Sequence, residues 1–302
     1  MEGGNIMNWN KVINVLILIF LVINILLFGW QKVNEDERYT LPDDREKQMQ
    51  NVLRRNGIGI YLTIPEYFPM RQVELFAPKV DSDRIRRSML GDIVQSEIDA
   101  VTLGERIFNE NESLTFYVGE QDGYIFYKSV QSSYVPENMT KGEVDKVALE
   151  FAEAMFGENV DMEVTYRKSI STSPKDGYRL ELNERYKEDL IFQTFIKLDI
   201  TPEGIKEALA VRYDPVDYIG PKKNIYPLDE VAYNLMYFLE DELDTYVEKG
   251  LAKFISNIDI GYYLVDVDKR KYEYQLDPYY RIVFKDGDTY YINAYTNDIS
   301  MP

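Results

Sequence analysis

The chain has 302 residues, a formal net charge of −18, and neither cysteine nor histidine. The absence of these two residue types excludes disulfides, Ser-His and Cys-His catalysis, and most zinc sites. A chain this acidic is not expected to bind nucleic acid or the anionic polymers of a bacterial wall, because like charges repel.

The first predicted element is a membrane-spanning helix. An uncharged apolar segment runs from Val12 to Phe28 and continues through Gly29 to Trp30. At about 1.5 Å per residue, the segment 12–30 is roughly 28 Å long as a helix, close to the hydrocarbon thickness of a bilayer. Trp9 and Trp30 flank the segment, where indole rings favour the membrane interface. The alternative is a cleaved signal peptide, but the segment does not end in the A-x-A-like site that cleavage requires.

The predicted topology follows mainly from the length of the part after the span. Long domains cross a membrane largely regardless of their charge. We therefore predict a short cytoplasmic tail (1–11), a single transmembrane helix (12–30) and a large extracytoplasmic part at the cell membrane. The extracytoplasmic part carries the whole negative charge. A tail this short is expected to affect the cytoplasm only through another membrane protein.

Two asparagines lie within the predicted span. Asn14 and Asn24 are about 80° apart on a straight helix and about 50° apart on one with the heptad repeat of a coiled coil. An intramembrane asparagine commonly hydrogen-bonds a neighbouring helix, for roughly 0.5–2 kcal/mol. We therefore predict a transmembrane partner-binding surface that comprises Asn14, Ile17, Leu21 and Asn24. Alternatively, one or both asparagines lie at the membrane interfaces and have no such role.

The segment 31–138 is predicted to form a membrane-proximal α+β domain. Its elements, in order, are a helix over 42–56, strands over 58–65 and 71–78, a short helix over 81–90 and a hairpin over 114–130. The short helix carries a basic cluster, Arg84, Arg86 and Arg87. This cluster is a candidate docking site for an acidic partner, and the alternative is an ordinary solvated helix face.

The segments 139–222 and 223–302 are each predicted to form a helix packed on an antiparallel β-meander, either as two separate modules or as one domain. Thr140 and Glu143 form a capping box that begins the first helix, and the second helix begins near Pro227. The apolar faces of the two helices comprise Val144, Val147, Ala148, Phe151, Ala152 and Met155, and Val231, Ala232, Leu235, Phe238, Leu239 and Leu243. The predicted fold class is therefore α+β, with tandem modules after an N-terminal transmembrane helix.

Similar spacing in the two modules indicates an internal duplication. Gly177-Tyr178 recurs later in the chain as Gly261-Tyr262. The segments 197–213 and 281–297 have the same separation in sequence as these two dipeptides. The beginnings of the two helices are separated by nearly the same distance. Such a fixed offset is typical of repeated supersecondary units.

Carboxylates are numerous but follow no catalytic pattern. Asp266 and Asp268 are predicted on the solvent face of a strand, and Asp286-Gly287-Asp288 is predicted to form a hairpin turn. The acidic run 240–242 is expected late in a helix. The chain also lacks a phosphate-binding loop, a dinucleotide fingerprint and a nucleophile elbow. We therefore predict a protein that is not an enzyme, with no catalytic, cofactor-binding or metal-binding residues.

Two other functions remain open from the residues alone. The first is an anchored binding module for a wall fragment or peptide, because the 25 tyrosines are suited to a binding platform as well as to sheet packing. The second is a hydrolase that uses two carboxylates. A pocket ringed by tyrosines favours the first, and two buried carboxylates about 5–10 Å apart in a cleft favour the second.

Both ends of the chain resemble one family. The opening MNWNKVINVLILIFLVINILLFGWQ is similar to the start of the YycI proteins of Gram-positive bacteria, and the closing GYYLVDV, PYYRIVF and YYINAYTN resemble the C-terminal part of the YycH/YycI family. The resemblance implies an accessory regulator of the WalK–WalR two-component system, which controls cell-wall homeostasis. It implies a WalK-like sensor histidine kinase and a YycH-like sister protein as partners, contacted through the membrane, and it supplies no catalytic residues.

Overall fold

The computed structural model describes residues 9–38, 41–77, 80–98, 104–117, 123–129, 140–170, 177–265 and 272–301. It shows an N-terminal apolar helix followed by a sheet-rich part with helices, so the predicted α+β class is confirmed. The helices are α1 (Trp9–Arg38), α2 (Asp43–Arg55), α3 (Ser82–Leu90), α4 (Lys141–Phe156), α5 (Leu228–Phe238) and α6 (Glu240–Glu248).

The strands are mostly antiparallel and belong to one extended sheet. They are β1 (Ile58–Ile60), β2 (Met70–Phe76), β3 (Gln95–Ile98), β4 (Glu105–Phe108), β5 (Glu112–Phe116), β6 (Ile125–Ser129), β7 (Met162–Ser169), β8 (Tyr178–Tyr186), β9 (Asp189–Thr201), β10 (Gly204–Val211), β11 (Asp214–Lys223), β12 (Lys253–Tyr263), β13 (Glu273–Phe284), β14 (Thr289–Asn293) and β15 (Ile299–Ser300). The strand order along the sheet is β11-β2-β13-β12-β9-β10-β6-β5-β4-β3. Strands β7 and β8 extend from β9, and β14 and β15 extend from β13.

The two halves of the sheet meet where β12 runs parallel to β9. This contact is short, with Gly261 opposite Leu190 and Tyr262 opposite Ile191. A Cβ atom at Gly261 would lie 2.6 Å from the Leu190 carbonyl oxygen, closer than real Cβ contacts allow. Glycine is therefore required at this position by the close approach of the two strands.

Among the described residues, the two larger hydrophobic cores lie on the two halves of the sheet, and a third, small cluster comprises Leu190, Phe192, Tyr279 and Tyr291. The first is formed by α2, α5 and α6 with β1, β2 and β12–β14, and the second by α3 and α4 with β4–β10. Side chains of the segment 31–138 lie in both cores: Met49 and Leu53 are in the first, and Leu114 and Ile125 are in the second. The domain boundaries that the sequence suggests stay a prediction.

The helix predictions agree with the structure for α2, α3 and α4, whereas α1 continues to Arg38, past the predicted end of the first helix at Trp30. The Thr140 hydroxyl accepts a hydrogen bond from the Glu143 backbone, and the Glu143 carboxylate accepts one from the Thr140 backbone, so the capping box is confirmed. The second predicted helix is broken at Leu239 into α5 and α6. The run 240–242 consequently occupies the first turn of α6, not a late turn, and its carboxylates complement the helix dipole. Phe238 is half exposed, so its assignment to the apolar face was wrong.

The internal duplication is visible in the sheet, with one correction. Leu198 on β9 corresponds to Ile282 on β13, at the same separation in sequence that relates the segments 197–213 and 281–297. Leu198 pairs with Leu180 on β8, and Ile282 pairs with Ile258 on β12, both antiparallel. These two partners are closer together in sequence than Leu198 and Ile282. Strand β8 therefore corresponds to β12 with a smaller offset than the one that relates β9 to β13.

The alignment of Gly177 with Gly261 was therefore wrong, because Gly177 precedes β8 whereas Gly261 lies near the end of β12. The helices α4 and α5 begin at the offset that the sequence predicts. The predicted turn at 286–288 joins β13 to β14, whereas Asp266 and Asp268 lie outside the described residues.

Candidate functional site

The apolar surface of α1 is the first candidate contact site. Within the described part of the chain, the segment Ile13–Trp30 is the one helix long and apolar enough to cross a membrane, with a mean hydropathy of 2.6 and none of it buried. Ile17 and Leu21 are 58% and 52% exposed. Asn24 donates a hydrogen bond from Nδ2 to the Phe20 carbonyl oxygen at 2.8 Å, one turn earlier in the same helix.

The α1 surface is therefore available to another helix. Asn14 and Asn24 are both exposed. The backbone hydrogen bond of Asn24 uses one of the two amide N–H groups, so its carbonyl oxygen and second N–H can still face a neighbour. The partner-binding role of Asn14, Ile17, Leu21 and Asn24 stays a prediction.

Helix α2 attaches the membrane-proximal part of the chain to the first core. It begins at Asp43, shortly after the end of α1, and buries Met49 and Leu53. Arg45 donates two hydrogen bonds to the Asp229 carboxylate on α5, from Nε at 2.9 Å and from Nη2 at 2.5 Å. The hydrogen bond with Asp229 raises the pKa of Arg45. This pair attaches α2 to α5.

The basic cluster on α3 contacts its own domain. Arg84 donates from Nη2 to the Met155 carbonyl oxygen at the end of α4, at 2.5 Å. Arg86 and Arg87 likewise donate to backbone carbonyls, those of Gly91 and Asp83. Arg84 and Arg86 thus lie against carbonyls at the C-terminal ends of α4 and α3, where cations are stabilising. The role of the three arginines as an outer docking site stays a prediction.

One of the most heavily buried charges in the described structure lies at the junction of the two halves. Arg281 on β13 is 1% exposed. It donates to Asp259 on β12 at 2.6 and 3.1 Å, and to Glu181 and Asn183 on β8 at 2.7 and 2.9 Å. Its guanidinium carbon lies 4.4 Å from the centre of the Phe192 ring. The Arg281 side chain thus links β8 of the first repeated unit to β12 of the second.

The duplication explains this arrangement. Lys197 on β9 and Arg281 on β13 occupy equivalent positions in the two repeats. Glu181 on β8 and Asp259 on β12 do so as well. The ion pair in the first repeat is therefore equivalent to the ion pair in the second. Lys197 faces Glu181 across β8 and β9, as Arg281 faces Asp259 across β13 and β12. The signal for this arrangement in the sequence is the pair of offsets between the repeated strands.

An open groove lies above this junction, with a volume of about 420 Å³. Its lining residues are Glu181, Lys197, Gly287, Asp288, Thr289, Tyr290, Tyr291 and Met301, and a smaller adjoining cavity adds Tyr166, Arg179 and Arg281. Tyr290 and Tyr291 are buried, and the Tyr291 ring stacks on Tyr263 with centroids 3.8 Å apart. The tyrosines therefore form the floor of the groove rather than an open ring around it.

The described carboxyls with a raised pKa lie elsewhere. Burial raises the pKa of Glu184, whose Oε2 lacks a hydrogen-bond partner among the described residues. Burial also raises the pKa of Asp189. Neither residue lines the groove, and no group of acidic residues in the described part of the chain is arranged to hold a metal ion.

Comparisons with known proteins identify no family: no family model matches the chain, and no curated protein matches it. Several solved structures are similar in part. A protein of Eubacterium rectale described as uncharacterized has a TM-score of 0.48 and 10% identity, and the match covers 81% of this chain and 90% of that one.

Two further structures come from Bacillus species. The C-terminal domain of YpeB from Bacillus megaterium has a TM-score of 0.38 and 10% identity, with coverage of 74% and 99%. YycH from Bacillus subtilis has a TM-score of 0.41 and 12% identity, and the match covers 79% of this chain and 54% of that one. All three TM-scores lie below 0.5, so these likenesses carry no argument about function.

Proposed function

We propose that this protein is a membrane-anchored, extracytoplasmic accessory protein that regulates a cell-wall-controlling sensor histidine kinase of the WalK type. The resemblance of both ends of the chain to the YycH/YycI family supports this function. The observation that carries it is the exposed apolar surface of α1, which no other described part of the chain covers. In this proposal α1 contacts the membrane part of the kinase, together with a YycH-like sister protein.

Regulation across the membrane then depends on differential binding. An accessory protein shifts a kinase between two conformations only to the extent that it binds one of them more tightly. Helix α2, which follows α1 closely in sequence, is attached to α5 through Arg45 and Asp229. We infer that outer contacts and the anchor act together through α2.

The proposal is tested by affinity purification of the tagged full chain from detergent-solubilised membranes, with the partners identified by mass spectrometry. A tagged single-span protein of unrelated sequence is the control bait. We expect a sensor kinase and a YycH-like protein with this chain and not with the control. Recovery of neither, from membranes in which both are detected, would contradict the proposal.

The orientation is tested separately, on intact protoplasts. Protease added outside should digest everything after about residue 30, because the large acidic part is proposed to be extracytoplasmic. Complete protection of that part would refute the orientation while leaving the anchor itself in place.

The runner-up function is an anchored binding module, and the groove at the junction is the observation that favours it. A carboxylate hydrolase has less support, because no carboxyl with a raised pKa lines the groove among the described residues. We therefore propose a protein that is not an enzyme.

A further inference from the structure

The rim of the groove carries an ammonium and a carboxylate side by side. Lys197 and Glu181 are cross-strand neighbours on β9 and β8, and the Lys197 ammonium lies 3.7 Å from Oε2 of Glu181. This separation is longer than a hydrogen bond. The Lys197 side chain is 55% exposed, and its ammonium lies 5.1 Å from the centre of the Phe195 ring.

Lys197 differs in this respect from the other cations near the groove. Arg179 forms two hydrogen bonds of 2.7 Å with Asp199, and Arg281 forms bonds of 2.6 and 2.7 Å with Asp259 and Glu181. Among the three cations that line the groove and the adjoining cavity, the Lys197 ammonium thus has the longest approach to a carboxylate. It can bind an incoming anionic group without first breaking a short hydrogen bond.

The two carboxylate oxygens of Glu181 have different neighbours. Its Oε1 accepts the hydrogen bond from Arg281, which holds the carboxylate in one orientation. Its Oε2 faces Lys197 and the groove. Because Arg281 fixes the side chain, Oε2 is preorganised to accept a hydrogen bond from a ligand N–H.

Neighbouring groups extend this polar pair. Tyr166 lies opposite Glu181 across β7 and β8, and Thr289 places a hydroxyl at the other wall. Met301, which is 66% exposed, adds an apolar surface. The groove volume of about 420 Å³ lies in the range of small-molecule sites.

We propose that the groove binds an α-amino acid zwitterion, with its carboxylate on Lys197 and its ammonium on Glu181. Only one carbon separates the two charged groups of an α-amino acid, which matches the close spacing of the two side chains. A sugar is a poorer fit, because sugars bind on exposed aromatic faces and the Tyr291 face is covered by Tyr263. This inference goes beyond the proposed regulation of a kinase and does not depend on it.

The test is a titration of the purified full chain in detergent micelles, followed through the NMR signal of the Met301 methyl group. The probes are L-alanine, D-alanine, N-acetyl-L-alanine and L-alanine amide. We expect saturable binding of at least one alanine enantiomer. We also expect at least tenfold weaker binding of both blocked analogues, because each lacks one of the two charges. The variant Met301→Leu assigns the signal.

The variant arm compares Lys197→Met with Lys146→Met. Lys146 lies on the exposed face of α4, away from the groove, and is 76% exposed. We expect Lys197→Met to weaken alanine binding at least tenfold and Lys146→Met to leave it unchanged. Failure of both alanine enantiomers to bind, equal binding of alanine and its blocked analogues, or an unchanged affinity in Lys197→Met would each overturn the proposal. A kinase in the pull-down has no bearing on this result.

Discussion

The link between Arg45 and Asp229 is the part of the structure whose loss should be most informative. The Asp229 side chain is 7% exposed and the Arg45 side chain 45%. Removing one partner of a fully buried pair costs roughly 3–5 kcal/mol, whereas an exposed pair contributes about 0–1 kcal/mol. Since one partner is half exposed, we expect Arg45→Met to cost about 2 kcal/mol, between these two limits. For a domain of this size that corresponds to a fall in Tm of roughly 4–8 °C.

The measurement is thermal unfolding of the full chain in detergent micelles, combined with a double-mutant cycle. The double variant Arg45→Met, Asp229→Asn should be less destabilised than the sum of the two single variants, because the second change removes the carboxylate left unpaired by the first. Arg54→Met is the matched control. Among the described residues, the Arg54 side chain hydrogen-bonds Asn51 within α2, and we expect a change below about 0.5 kcal/mol. Strict additivity of the two single variants would refute the proposed link between α2 and α5.

Three further predictions concern the core, a buried acid and the anchor. Phe151→Ala should lower the free energy of unfolding, measured in urea, by roughly 3–5 kcal/mol, because Phe151 is buried in the second core. Leu149→Ala, on the exposed side of the same helix, should cost under about 1 kcal/mol. Equal costs would show that the packed face is misassigned. Burial raises the pKa of Glu184, so its contribution to stability is present below the unfolded pKa and is lost as pH rises through the folded pKa. The stability of Glu184→Gln relative to the wild type should therefore rise as the pH increases above the unfolded pKa of a glutamate, and a pH-independent difference would contradict this assignment. Replacing Asn14 and Asn24 by leucine should preserve membrane insertion but weaken kinase co-purification, by about tenfold per 1.4 kcal/mol of lost interhelical hydrogen bonding, and undiminished recovery would remove the two asparagines from the contact.

Local signals in the sequence were sufficient for the helices. The span, the capping box at Thr140 and the limits of α2 and α3 depend on neighbouring residues, and each of them was predicted within one or two positions. The hairpin of β5 and β6 was predicted for the same reason. The break at Leu239 was not, because the apolar spacing continues through it.

Several strands were missed because their residues follow no alternating pattern. Strand β11 contains Pro215 and Pro221 and was not predicted at all, yet it pairs with β2 at the edge of the sheet, where proline is tolerated. Strand β13 contains a proline within its length. Pro278 interrupts the pattern at the point where β13 changes its neighbour from β2 to β14, so the missing N–H group is not needed there.

The groove and its buried arginine required tertiary information. Glu181 and Arg281 are far apart in sequence, and neither residue has a local motif that marks it. The offset between the repeats was the available signal, since it relates Lys197 to Arg281. Aligning Gly177 with Gly261 gives β8 and β12 the wrong separation in sequence. With that alignment, the equivalence of the two ion pairs is not visible.

The central claim, that the anchor itself contacts a membrane partner, is tested most directly by replacing the span. The segment 12–30 is exchanged for an unrelated apolar helix of equal length, and co-purification of the sensor kinase is measured from membranes with equal amounts of each protein. We predict that the exchange abolishes or strongly reduces recovery of the kinase while the outer part remains folded and exported. Undiminished recovery with the foreign anchor would contradict the account and would place the contact on the outer surface.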